Sequence, residues 1–249
     1  MRRALPFIAL TLLGACAQQP GREASTRAEV VLLGEQHDAP DHARLQREWV
    51  DSLAGRRQLA ALAIEMAEQG TSTHELTPRA DEAAVRAALR WNETGWPWPR
   101  YREPVMAAVR AGVPVLGANL PRAQMRSAMA DMQLEKLLPG AAWQAQQQAI
   151  RVGHCDLLPE PQIAPMTRVQ VARDRAMAET VASATVPGRT VLLIAGAGHV
   201  DEALGVPRHL PPTLRVAALR LPPVPPTGDP CEPLRRHNAF PGATGRPTP

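Results

Sequence analysis

Two histidines occupy matching positions in two short segments that lie far apart in the sequence. Gly34 precedes His37 by three positions, and Gly196 precedes His199 by the same spacing. Each glycine lies at the end of a short run rich in Val, Leu and Ile, which is typical of a buried β-strand. Both imidazoles are therefore expected just beyond the carboxyl end of a strand, the edge at which open α/β sheets bind ligands. The pattern predicts a functional site built from both ends of the chain.

Two glutamates are expected at the same edge. Glu35 lies inside the first glycine-histidine segment, and Glu65 directly follows another apolar run. A buried carboxylate is costly unless a cation, a histidine or a metal ion partners it. Imidazole and carboxylate together suit Zn, Mn, Fe or Co, and the same groups could instead perform general acid–base catalysis. A third interpretation is a structural cluster of buried ion pairs, in which Arg122 or Arg173 neutralises the glutamates.

Apolar spacing predicts five strands separated by helices. The strands are expected at residues 29–33, 59–64, 113–118, 190–195 and 214–219, and helical spacing follows at 41–53, 81–90 and 103–111. This alternation predicts an α/β fold, with a central parallel or mixed sheet flanked by helices. Residues 122–184 contain helical patterns only, so they predict a small helical subdomain inserted before the fourth strand.

The N-terminal residues predict a bacterial lipoprotein. Two arginines precede a short apolar stretch, and small residues then lead into Cys16. The stretch is too short to span a bilayer, so residues 1–15 are expected to be a lipoprotein signal peptide and 16–27 a lipidated tether. An ordinary secretory signal with a chance cysteine is the alternative. Ala17, and not aspartate, follows Cys16, so the resemblance to sorted bacterial lipoproteins implies the outer membrane, with the protein facing the periplasm or the surface.

Bulk properties exclude one class of partner and outline the domains. The formal net charge is +4, which falls to +2 once the two arginines of the signal peptide are removed, too little to suggest nucleic-acid binding. Residues 28–221 are expected to form one α/β domain, and the proline-rich residues 222–249 a disordered tail.

Cys155 and Cys231 could form a disulfide in an extracytoplasmic compartment. The sequence leaves this pairing open and slightly favours free or transiently paired thiols.

Aromatic residues are concentrated in one proline-bounded segment. Trp91, Trp96, Trp98 and Tyr101 lie within eleven positions. Such a segment could be a rigid loop that supports a flat apolar ligand, or it could simply pack its rings on the sheet. Tyr101 is the more specific candidate for a functional role, because a tyrosinate oxygen can ligate ferric haem iron.

Several motifs in order resemble the ChaN-like haem-binding lipoproteins of the haem-binding uptake and Tiki superfamily. The resemblance runs from about residue 29 to residue 219. The motifs that carry it are Gly34-Glu35-Gln36-His37-Asp38, Gly95-Trp96-Pro97-Trp98, Gly117-Ala118-Asn119-Leu120-Pro121-Arg122, Gly153-His154-Cys155, Ala172-Arg173-Asp174 and Gly196-Ala197-Gly198-His199.

The resemblance implies a haem-binding protein of iron acquisition at the outer membrane. It implies a homodimer with stacked haems between the subunits and an outer-membrane haem receptor as partner. Tyr101 would ligate the iron, so Tyr101→Phe is expected to abolish a haem Soret band. The family holds its propionates with basic groups that include a lysine, which Lys136 does not clearly match, so either an arginine substitutes or the binding mode differs. The other residues expected to contact the cofactor are Trp96, Trp98, Asn119, Arg122, His154 and Arg173.

The wider superfamily implies an alternative function. It includes Tiki-type metal-dependent proteases and erythromycin-esterase-like enzymes, which are similar in their paired glycine-histidine motifs. The chain would then be a metal-dependent hydrolase of a peptide, an ester or an envelope component. Its expected catalytic residues are Glu35, His37, Glu65 and His199, and its expected divalent-metal ligands are His37, Glu65 and His199.

Overall fold

The computed structural model describes residues 27–225 and 228–238. The predicted signal peptide, the lipidation site Cys16 and all of the predicted tether except Arg27 lie outside the described residues. The last part of the proline-rich tail, after residue 238, also lies outside them.

One fully parallel sheet forms the centre of the molecule. Its spatial order is β3-β2-β4-β1-β5, so β4 inserts between the first two strands of the chain. Every neighbouring pair is parallel, which confirms the predicted α/β fold and resolves its sheet as parallel. The strands are β1 (Val30–Glu35), β2 (Leu59–Glu68), β3 (Val115–Asn119), β4 (Thr190–Gly196) and β5 (Val216–Arg220).

The helices connect and cover these strands. They are α1 (His42–Gly55), α2 (Glu82–Ala88), α3 (Trp98–Arg110), α4 (Met125–Ala130), α5 (Gly140–Gly153), α6 (Glu160–Ser183) and α7 (Glu232–Asn238), with short 3-10 helices at Arg122–Gln124, Met132–Leu137 and Val206–His209. Residues 122–184, where the sequence predicts a helical insertion, contain helices and no strand. Among the described residues, no helix combines the length and the apolar character needed to cross a membrane.

Both faces of the sheet are covered, and this explains why its central strands are mainly apolar. Along β1, Val31 and Leu33 contribute to the core beneath α1 and α3, whereas Val30 and Leu32 contribute to the core beneath α6. Side chains alternate between the faces of a strand, so a strand buried on both faces must be a continuous apolar run. Packing against the sheet holds α1 and α3 on one face and α6 on the other.

The helix α3 begins earlier than the sequence predicts. The prediction started this helix at residue 103 and placed the aromatic residues in a loop, but Trp98 and Tyr101 lie on its first turns. Pro99 fits there because the first turn of a helix does not need its N–H groups. Tyr101 is consequently held by a helix and not by a loop.

In its described part the C-terminal tail is anchored, which differs from the predicted disorder. The His42 ring contacts the Pro222 carbonyl oxygen at 3.0 Å through Nε2, and the Val224 N–H donates to Gln36 Oε1 at 3.2 Å. Hydrogen bonds to the backbone do not require apolar periodicity, so the sequence pattern gave no sign of them.

A disulfide provides the second anchor of the tail. Cys231 is bonded to Cys155, which corrects the slight preference for free thiols, and the two Cα atoms are 5.7 Å apart. The bond links the residues before α7 to the turn after α5.

Candidate functional site

The two glycine-histidine segments meet at the carboxyl edge of the sheet, as predicted. The register places Glu35 at the end of β1 beside Gly196 at the end of β4. Glu65, from β2, lies between the two imidazoles: its Oε1 is 3.3 Å from His199 Nε2, and its Oε2 is 4.0 Å from His37 Nε2. The carboxylate is only 3% exposed, so its charge is shielded from water and acts mainly on these rings.

The glycines of the two segments are needed for close packing. A Cβ on Gly196 would lie 2.9 Å from His37 Nε2, and one on Gly34 would lie 2.4 Å from a methyl carbon of Val200. The Gly196 N–H also donates to Glu65 Oε2 at 2.8 Å. The glycines therefore let the histidines and Glu65 approach one another.

Each imidazole is oriented by its own carboxylate. Glu35 Oε1 lies 2.7 Å from His37 Nδ1, and Asp174 Oδ1 lies 2.5 Å from His199 Nδ1. A carboxylate at Nδ1 fixes the ring and leaves Nε2 as its free end. In this site both Nε2 atoms are directed toward Glu65.

Three more polar side chains complete the cluster. The Tyr101 hydroxyl donates to Glu35 Oε1 at 2.9 Å, and Gln46 donates through Nε2 to Glu35 Oε2. The side-chain amide of Gln170 lies 3.1 Å from His199 Nδ1. Glu35 thus has three partners, which is how a carboxylate tolerates burial.

Sequence analysis did not assign Gln46, Gln170 and Asp174 to the site. Gln170 and Asp174 are four residues apart on α6, a spacing that puts them on one helical face. Asp174 and Gln46 are fully buried within apolar helical stripes. A polar residue inside an apolar stripe was the available signal, but only the packing of the helix shows which site it faces.

The charges of Glu65 and His199 stabilise each other. Burial alone would raise the pKa of Glu65, but the charge and hydrogen bond of His199 outweigh it and lower the pKa to about 2. Burial alone would lower the pKa of His199, but Glu65 and Asp174 outweigh it and raise the pKa to about 10. At neutral pH the two groups therefore form a buried imidazolium–carboxylate pair.

The pKa values of Asp174 and His37 also depend on this pair. Burial raises the pKa of Asp174 to about 6, against the opposing charge of His199. Burial alone would lower the pKa of His37, but its hydrogen bond to Glu35 and the charge of Glu65 raise it. His37 is 39% exposed, so it is the member of the cluster that meets solvent.

The predicted divalent-metal site is not supported by this arrangement. Among the described residues, no group of three or more His, Cys, Asp or Glu side chains is placed to hold a metal ion. The ring nitrogens of His199 contact Asp174 and Glu65 instead. The cluster is built from ion pairs and hydrogen bonds, but its glutamates pair with His37 and His199. The structural interpretation of the sequence was therefore wrong in expecting Arg122 or Arg173 to neutralise them.

The phenol of Tyr101 does not fit a haem-iron ligand as it stands. Tyr101 is 3% exposed, and its hydroxyl donates to Glu35. Burial, and then the charge and hydrogen bond of Glu35, raise the pKa of the phenol. Ligation by tyrosinate requires loss of this proton and of this hydrogen bond. Tyr101 could therefore reach iron only after leaving Glu35.

Four of the residues predicted to contact a cofactor line one pocket. Trp96, Asn119, Arg122 and Arg173 surround a cavity of about 240 Å³ that also borders Glu65. The Trp96 ring meets the His37 ring edge-on, with centroids 4.9 Å apart. The pocket therefore adjoins the buried cluster.

Two other residues predicted to contact a cofactor lie elsewhere. Trp98 is in the core, where its ring N–H donates to Glu82 at 2.7 Å. His154 follows α5, and its Nδ1 lies 2.8 Å from the Ile150 carbonyl oxygen. Neither lines the pocket beside Glu65.

Comparisons with known proteins agree with this fold. The family model described as "Haem-binding uptake, Tiki superfamily, ChaN" matches residues 22–210, most of the chain. A solved structure titled "Cofacial heme binding to ChaN of Campylobacter jejuni" is similar, with a TM-score of 0.63 and 24% sequence identity over 74% of this chain and 76% of that one. At that identity the likeness supports the fold alone. No curated protein matches the chain.

Proposed function

Because this chain belongs to the haem-binding uptake family of the Tiki superfamily that includes ChaN, we propose that it binds haem and takes part in iron acquisition. The family match over residues 22–210 is the observation that carries this proposal. Haem would be its ligand, and an outer-membrane haem receptor would exchange haem with it.

The pocket beside Glu65 supports the proposal for part of the haem molecule. Trp96 offers an aromatic wall to a porphyrin ring, and Arg122 and Arg173 offer guanidinium groups to its propionates. Bound haem would supply its iron as cargo. The residues of the pocket would bind and orient the porphyrin, and the phenol of Tyr101 would keep Glu35 in place.

Haemin titration of the Trp96→Leu variant tests where haem binds. We expect the variant to bind haemin roughly tenfold more weakly than the original chain, because the lost ring contact is worth on the order of 1 kcal/mol or more. Trp143→Leu, on α5 and outside the pocket, is the matched control and should bind normally. Equal affinity in both variants would place haem away from this pocket.

The membrane anchor is part of the same proposal. Arg2, Arg3 and the small residues before Cys16 support lipidation at that cysteine. The protein would then be held at the outer membrane by lipid, facing the periplasm or the surface, and would act there as a homodimer. Cys16→Ser should move the protein from the membrane fraction to the soluble fraction, and an unchanged distribution would contradict lipid anchoring.

One observation favours a second function, acid–base hydrolysis without a metal. His37 is partly exposed and oriented by Glu35, so it is placed to accept a proton from water, with the Glu65–His199 pair behind it. A panel of activated esters and short peptides tests this. Hydrolysis that is lost in His37→Ala and kept in the control His74→Ala would support it, whereas no hydrolysis by the original chain would overturn it.

A further inference from the structure

Three arginines converge on the pocket beside Glu65. Arg90 comes from the end of α2, Arg122 follows β3, and Arg173 projects from α6. These three segments are far apart in the sequence, so the fold alone brings the guanidinium groups to one cavity.

None of these arginines has an ion-pair partner within 4.0 Å among the described residues. Arg173 and Asp174 are adjacent, and Arg173 acts on that carboxylate only through its charge. Nearby on the same helix, Arg175 pairs with Glu179 at 2.8 Å. Guanidinium groups that are not engaged by carboxylates of the chain remain available to bind an anion, and their planar donors suit carboxylates.

Two buried polar atoms of residues that line the pocket also have no hydrogen-bond partner. They are Nε of Arg173, which is a donor, and Oδ1 of Asn119, which is an acceptor. A buried polar atom without a hydrogen bond costs free energy, so the wall of the pocket contains one unsatisfied donor and one unsatisfied acceptor.

The acidic residues of the pocket do not cancel its positive charge. Glu65 is already paired with His199, and Glu68 accepts the backbone N–H of Arg122 at 3.0 Å. The three guanidinium charges therefore exceed the one remaining carboxylate charge. The pocket is electrostatically suited to an anion.

The backbone of Arg90 is held in an uncommon conformation. Its φ is 46°, at the position after the α2 C-cap where glycine is usual. Arg57 has a similar φ of 58° at the same position after α1, so this conformation marks the end of a helix.

We propose that this pocket is a carboxylate-binding site for a polycarboxylate group. Its volume of about 240 Å³ is below the roughly 300–1,000 Å³ of pockets that enclose a whole small molecule. It therefore takes a ligand of the size of citrate, or the carboxylate end of a larger one. The carboxylates come either from a free polycarboxylate or from the propionates of haem, and only the second source rests on the proposed function.

Calorimetric titration of the purified full chain separates the two sources. The probes are citrate, haemin and the dimethyl ester of haemin, which lacks the free carboxylates. The test variants are Arg122→Gln and Arg173→Gln. Arg173→Lys retains the charge at that position. Arg79→Gln, which changes an exposed arginine outside the pocket, is the matched control. Circular dichroism checks that every variant is folded.

We expect citrate, or haemin in preference to its ester, to bind the original chain and the Arg79→Gln variant. Affinity should fall roughly tenfold or more in Arg122→Gln and Arg173→Gln, because a charge-assisted hydrogen bond is stronger than a neutral one. It should fall less in Arg173→Lys, because lysine keeps the positive charge. Added salt should weaken binding.

The outcomes distinguish this inference from the proposed function. Arginine-dependent citrate binding without any haemin binding would sustain the carboxylate site and remove the haem proposal. Haemin and its ester binding equally, without citrate binding, would leave the haem proposal standing and overturn the carboxylate site. Binding that is equal in the original chain and both Arg→Gln variants would overturn it as well.

Discussion

Glu65 is the residue on which the buried cluster depends. It contacts His199 at 3.3 Å and the Gly196 N–H at 2.8 Å, and it lies 4.0 Å from His37. Removing one partner of a buried ion pair leaves the other charge uncompensated, which is more costly than losing the pair. The cluster should therefore behave as a unit in which single substitutions are not additive.

Tyr101→Phe separates a structural phenol from an iron ligand. The change removes a donor to Glu35, so we expect a loss of about 1–3 kcal/mol in the free energy of unfolding, measured with urea at pH 7. Because the phenol is held by Glu35, we expect the variant to keep a haemin Soret band, in contrast to the sequence-based expectation. A band that disappears while the variant stays folded would show that Tyr101 moves to the iron.

The pKa values of the cluster predict how stability depends on pH. His199 has a pKa of about 10 instead of 6.5, so its contribution is complete below pH 6.5 and is lost as the pH rises through 10. Glu65 has a pKa of about 2 instead of 4.5, so its contribution is present above pH 4.5 and is lost on acidification toward pH 2. Stability should therefore fall on the alkaline side between pH 6.5 and 10.

Urea unfolding at pH 7 and pH 9.5 measures this fall. His199→Gln should be less stable at pH 7, by an amount on the order of 3 kcal/mol, and should lose less on going to pH 9.5. His74→Gln, a change at an exposed histidine, should keep the original slope. A His199→Gln variant with the full alkaline slope would contradict a protonated His199 in the folded state.

At the scale of the elements, the end of β4 sets the spacing of the site. Gly196→Ala would bring a methyl group against His37 Nε2, whereas a Cβ on Gly198 in the same turn meets nothing within 4 Å. We expect Gly196→Ala to lower the free energy of unfolding by about 1–3 kcal/mol. Gly198→Ala should change it by no more than about 0.5 kcal/mol, and equal effects of the two changes would contradict the packing described for Gly196.

The disulfide joins two cysteines that are 76 residues apart in the sequence, one after α5 and one before α7. Linking Cys155 to Cys231 restricts the unfolded chain, which typically stabilises a protein by about 2–4 kcal/mol. Reductant should therefore lower the unfolding temperature of the original chain and leave that of the Cys155→Ser/Cys231→Ser double variant unchanged. An original chain insensitive to a reductant that demonstrably breaks the bond would show that the tail is held by its other contacts alone.

At the scale of the whole molecule, residues at strand ends could be placed together from the sequence, whereas Gln46, Gln170 and Asp174 on the helices could not. Glu35, His37, Glu65 and His199 could be placed together because the carboxyl ends of parallel strands share one edge. Asp174 reaches the same edge from α6. Its position depends on how that helix rotates over the sheet, which local spacing does not determine.

The same limit applies to the start of α3 and to the tail. Pro99 suggested a loop, but a helix accommodates proline in its first turn. The hydrogen bonds of Pro222 and Val224 to distant residues leave no periodic pattern in the sequence. Of the arginines that line the pocket, Arg122 and Arg173 were predicted as separate residues and Arg90 was not, because the three meet only through tertiary structure.

Absorbance titration of the purified full chain with haemin tests most directly whether this protein binds haem. We predict a shifted Soret band that saturates at a fixed ratio of haemin to chain. A spectrum that keeps changing in proportion to added haemin, like that of haemin with an unrelated protein, would contradict the haem-binding function.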